Sequence, residues 1–93
     1  MTVYEISYDL NDPEQDYDSL HEAIENLGDS LHALESYWLV DASNTSTSDI
    51  RDDLKGDLNT NDQLVVTKIQ QSGGGRWATS HTSEVHEWLD DHL

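Results

Sequence analysis

The chain has no cysteine, no phenylalanine, one proline, one methionine and only four lysines and arginines in 93 residues. Without thiols, neither a disulfide framework nor a thiolate metal site can form. No stretch approaches the ~18 apolar residues of a membrane span. The N-terminus also lacks the basic, then apolar, then small-residue pattern of a secretory signal. These absences predict a soluble cytoplasmic protein with no membrane association. Four cations also disfavour a nucleic-acid ligand, because Lys and Arg contacts to phosphates supply most of that affinity. The length predicts one domain, near the lower limit at which a single core suffices.

What is abundant is acid. Twenty Asp and Glu against Arg51, Lys55, Lys68 and Arg76 give a formal net charge of −16. The carboxylates are spread along the whole chain between apolar positions, which reads as a solvated surface rather than a disordered acidic tail. Such a surface strains the compact state by self-repulsion. Concentrated salt relieves that strain, since the screening length falls to ~3 Å at 1 M. With Asp more frequent than Glu, two lysines and many Ser and Thr, the composition predicts a halophilic, salt-accumulating cytoplasm.

The apolar pattern predicts four strands and three helices. In residues 3–10, Tyr4, Ile6, Tyr8 and Leu10 alternate with Val3, Glu5, Ser7 and Asp9, so the first set faces a core. Residues 17–27 read as a helix with Tyr17, Leu20, Ile24 and Leu27 on one stripe, capped near Asp16 and ending with Gly28 at the C′ position. Residues 30–34 and 37–42 read as strands joined by a tight bend or bulge at Glu35-Ser36. The first, with His32 between Leu31 and Ala33, has the character of an edge. A loop of cap residues, 43–48, leads into a second helix with Ile50, Leu54 and Leu58 inward and Asp49, Asp52 and Asp53 near its positive end. Residues 63–69 form the last strand. Gly73-Gly74-Gly75 reads as a hinge, and Thr82 or Ser83 caps a final helix with Val85, Trp88 and Leu89 on one side.

The order β-α-β-β-α-β predicts a ferredoxin-like α+β fold, with sheet order 4-1-3-2 and both helices on one face. Residues 1–72 would form this unit; residues 73–93, the hinge and a C-terminal helical appendage, belong to the same domain. The second sheet face, including Val3, then needs cover from the C-terminal helix or from a second subunit.

Six segments in order resemble a known family: Ile6-Ser-Tyr-Asp-Leu10, Asp16-Tyr-Asp-Ser-Leu-His-Glu-Ala-Ile24, Ser36-Tyr-Trp-Leu-Val40, Asp49-Ile-Arg-Asp-Asp-Leu54, Asn61-Asp-Gln-Leu-Val-Val66 and Glu87-Trp-Leu89. Together they look like the small SinR-like proteins, relatives of the small CRISPR spacer-acquisition subunit and of VapD-type toxins. The resemblance implies a ferredoxin-like homodimer packed through its sheets. It also implies that the aspartate ending strand 1, here Asp9, sits near the dimer axis and binds a divalent metal with its symmetry mate in nucleolytic members. Members that handle nucleic acid carry basic residues after strand 1, whereas residues 11–16 of this chain are acidic.

Asp9 with Asp12 is the candidate site for Mg²⁺ or Mn²⁺, hard ions that take oxygen ligands and activate water against a phosphodiester. The competing reading makes Asp9 a turn residue whose carboxylate accepts backbone N–H groups around residues 11–13. His81, His86 and His92 with Glu87, Asp90 and Asp91 lack the spacing of a zinc helix and are expected in solvent, with His86 and Asp90 an i,i+4 pair. Trp38, Trp77 and Trp88 are expected in core or dimer contacts rather than in a base-stacking platform. The glycine run lacks the Lys-Ser/Thr of a phosphate loop. A non-catalytic homodimeric module that binds a protein partner, of the CRISPR-associated or toxin–antitoxin kind and with no cofactor, is therefore expected. The alternative is a divalent-metal-dependent nuclease using Asp9 from both subunits.

Overall fold

The computed structural model describes residues 2–11, 17–69 and 77–93. Asp12, the cap expected at Asp16 and the hinge at Gly73-Gly74-Gly75 lie outside the described residues. The elements run β1 (Thr2–Asp9), α1 (Asp18–Glu25), β2 (Asp29–Leu34), β3 (Tyr37–Ala42), α2 (Thr47–Lys55), β4 (Gln63–Ile69) and α3 (Ser83–His92). One four-stranded sheet has the order β2-β3-β1-β4, which is 4-1-3-2 read from the other edge. All three neighbouring pairs are antiparallel. The result is a small α+β fold compatible with a ferredoxin-like arrangement, and β2 lies at an edge as its mixed pattern predicts.

Period-2 alternation divides β1 between two cores. Tyr4, Ile6 and Tyr8 join Leu20 and Ile24 of α1 and Ile50 and Leu54 of α2 in the larger one. Ile6, Leu20, Ile24, Ile50 and Leu54 have no exposed surface, and each such side chain contributes about 1.5–3 kcal/mol on burial. On the opposite face Val3 and Leu39 pack with Leu89 of α3, flanked by Ile69, Trp77, Val85 and Trp88. Helix α3 thus lies over that face within the same chain. No helix among the described residues is long and apolar enough to cross a membrane.

Several boundaries differ from those expected. Helix α1 stops at Glu25, and Asn26 is its C-cap. Gly28 is therefore not the C′ residue, and its backbone is not left-handed. Its reason is steric: a Cβ there would lie 2.2 Å from the Asp41 carbonyl oxygen. The missing side chain lets the chain enter β2 tight against β3. The pairing of β2 with β3 shifts register between His32 and Leu34, just before the Glu35-Ser36 turn. Ser46 caps α2, its Oγ accepting from the Asp49 N–H at 3.1 Å, a bond worth about 1 kcal/mol. Leu58 lies beyond the end of α2 but still packs on the larger core.

Candidate functional site

Asp9 ends β1 opposite Gln63 of β4 and is exposed. It shares a shallow depression of about 230 Å³ with Ser7, Tyr8, Gln63, Leu64 and Val65. Among the described residues no group of three His, Asp or Glu side chains is placed to hold a metal ion. Asn11 does not turn its backbone N–H to Asp9. It donates to Asp62 Oδ1 at 2.8 Å.

Asp62, just before β4, is a junction. It accepts from the backbone N–H of Asn11, from that of Asn59 at 2.8 Å, and from the Tyr17 hydroxyl at 2.8 Å. The exit of β1, the start of α1 and the approach to β4 meet on one carboxylate. Partial desolvation pulls its pKa upward, but the two backbone donors and the phenol outweigh that and hold it below the ordinary 3.8.

The histidines divide into three settings. His86 faces Asp90 at 3.4 Å, as an i,i+4 pair, and with His81 and Glu87 it borders an open depression at the start of α3. His32 stacks on Trp38 with ring centroids 4.2 Å apart, while His21 lies over the same indole at 5.6 Å. Trp38 Nε1 donates to the Tyr8 hydroxyl at 3.0 Å. Burial raises the Tyr8 pKa, a shift the Trp38 donor partly opposes and the Glu35 charge reinforces. These contacts tie the β2–β3 end of the sheet to α1.

His92 corrects the expectation of a solvated C-terminal cluster. Its side chain is only 15% exposed and bridges two strands: Nδ1 lies 2.8 Å from Asp41 Oδ2, and Nε2 lies 3.1 Å from Asp29 Oδ2. Trp88, one turn earlier, stacks on the ring at 3.9 Å. The signal was in the sequence. Position 92 falls two helical turns after Val85, on the stripe that faces the sheet.

Helix α3 and the segment before it also form one wall of a groove of about 500 Å³. Ala33, Leu34, Tyr37 and Leu39 supply the sheet side, and Trp77, Val85 and others supply the opposite wall. Leu34 stands at its rim, 58% exposed. Within it, the Tyr37 hydroxyl donates to Glu5 Oε2. Burial first, and the Glu5 acceptor and its charge next, hold Tyr37 far above the usual phenol range.

No protein-family model matches the chain, and no solved structure matches it. The geometry offers a groove of mixed apolar and polar lining, an exposed strand end at Asp9, and a half-buried histidine between two carboxylates.

Proposed function

We propose that this chain is a non-catalytic interaction module that binds a segment of another protein in the groove between β2–β3 and α3. The observation that carries this reading is the groove itself, with Leu34, Leu39, Val85 and Leu89 among its lining beside the hydroxyls of Thr79, Ser80 and Thr82, and open at Leu34. A concave surface that combines apolar side chains with a few polar groups suits the side chains of a bound segment, and Leu34 at the rim extends its apolar part. Charge selects the partner. Glu35 follows Leu34, Glu84 precedes Val85, Glu87 borders the adjoining depression, and no lysine or arginine lines the groove among the described residues. The occupant is an extended segment with apolar side chains flanked by lysine or arginine.

The resemblance to SinR-like proteins supports three further parts of the proposal: a ferredoxin-like assignment, a homodimer, and a place among CRISPR-associated or toxin–antitoxin modules. The net charge supports a halophilic cytoplasm. The uncovered part of the second face, where Val65 is 61% exposed, offers a surface for the second copy. The alternative nuclease would use Asp9 of both copies with Mg²⁺ or Mn²⁺.

The test is a titration of labelled protein with a synthetic peptide carrying two leucines between lysines, followed by NMR. Shifts clustered on Leu34, Leu39 and Val85, and lost in Leu34→Asp, support the groove. Equal binding by a peptide with the leucines replaced by serine would reduce the interaction to charge alone and sink the reading. Metal-dependent cleavage of DNA or RNA, lost in Asp9→Ala, would overturn it in favour of the nuclease.

A further inference from the structure

Asp29 and Asp41 are direct partners across the β2–β3 pair. Like charges in that position repel and destabilise the pair. In this chain the group that lies between them is the imidazole of His92, brought from the far end of α3. A carboxylate oxygen only accepts hydrogen bonds, and a neutral imidazole has one N–H to give. With acceptors facing both ring nitrogens, only the doubly protonated ring satisfies both. Its positive charge also suits the face of Trp88 stacked against it. The Asp41 side chain is 8% exposed, so water is poorly placed to substitute for the lost donor, whereas Asp29, 67% exposed, stays wet. On its own helix, Asp91 is adjacent to His92 in sequence, and Asp90 is engaged with His86.

We propose that Asp29, His92 and Asp41 form a protonation latch that holds α3 against the second face of the sheet. Loss of the proton leaves one carboxylate facing a ring lone pair and restores the repulsion between the two strands. The rest of the helix is held weakly. Leu89 is its one buried residue, and the buried Trp88 indole N–H has no acceptor among the described residues, which costs binding of the helix. When the latch opens, Val85 and Leu89 leave the sheet and the groove loses a wall. That last consequence rests on the interaction-module reading. The latch does not.

The test follows methyl NMR of Val3, Leu39 and Leu89 in molar KCl, without peptide, across the histidine range of ~pH 5 to 8. Contacts from Leu89 to Val3 and Leu39 should weaken as pH rises, with the undocked population growing at least about threefold. The methyls of Ile6 and Ile50 in the larger core should not move. His92→Lys should keep α3 docked across the range, and His92→Gln should remove the pH dependence. His86→Gln should titrate like the parent chain. Contacts from Leu89 unchanged over the whole range in the parent chain would overturn the proposal, as would His92→Gln retaining the transition. Because no groove ligand enters the measurement, failure of the peptide titration leaves this outcome readable.

Discussion

At the scale of single residues, Asp62 and Asp9 show how little charge alone says about a carboxylate. Asp9 projects from a strand end with no assembled ligand set among the described residues, while Asp62 gathers three donors from three segments. The Asp62 pKa is lowered on folding, so its contribution to stability is complete above about 3.8 and is lost as pH falls through the lower folded value. The measured quantity is the melting temperature of the parent chain minus that of Asp62→Ala, both in molar KCl. The gap should be widest above about pH 4 and close steadily at more acid pH. A constant gap would show that Asp62 acts by shape rather than as a charged acceptor.

At the scale of elements, the strands were legible because alternation is local. The bounds of β3 and β4 agree with those expected, and β1 presents Tyr4, Ile6 and Tyr8 to the core as the period-2 rule requires. Junctions were not legible, because their causes are remote in sequence. Gly28 resembles a helix stop, yet it is required by the Asp41 carbonyl on another strand. Asp62 lies just before β4, yet one of its donors, Tyr17, is 45 positions away. Asp9 ends a strand, and among the described residues no group of three His, Asp or Glu side chains that could hold a metal gathers around it. Gly28→Ala should destabilise the fold by about 1–3 kcal/mol, because the obstacle is backbone and cannot step aside. Chemical denaturation would read this as a lower midpoint with an unchanged slope. A neutral Gly28→Ala would mean that the glycine serves only the exit from α1.

At the scale of the whole molecule, a net charge of −16 opposes the compact state by self-repulsion. The ion pairs of Asp52 with Arg51 at 3.0 Å and with Lys55 at 3.8 Å are exposed and worth little. They leave most of the negative charge unanswered. Near-UV circular dichroism should therefore lose its tertiary signal as KCl is lowered from molar to millimolar, and partial acidification should restore some of it by neutralising carboxylates. Equal stability at both salt extremes would remove the basis for a halophilic origin. Sedimentation in molar salt at high-micromolar protein should show a dimer, with Val65→Asp shifting it to monomer. A monomer at that concentration would mean that α3 alone gives the second face sufficient cover.

The strand order also places a constraint on the order of events during synthesis. β1 is made first but lies inside the sheet, flanked by β3 and β4. It must wait for both, and its last neighbour is β4. Until residues 63–69 emerge, one side of β1 offers its backbone N–H and C=O groups to any strand that passes, the state in which nascent chains aggregate. Pairings this distant also slow the search for the native fold. The same acidic surface that burdens the finished molecule repels neighbouring chains during that wait, so the charge that opposes compactness also protects the unfinished sheet.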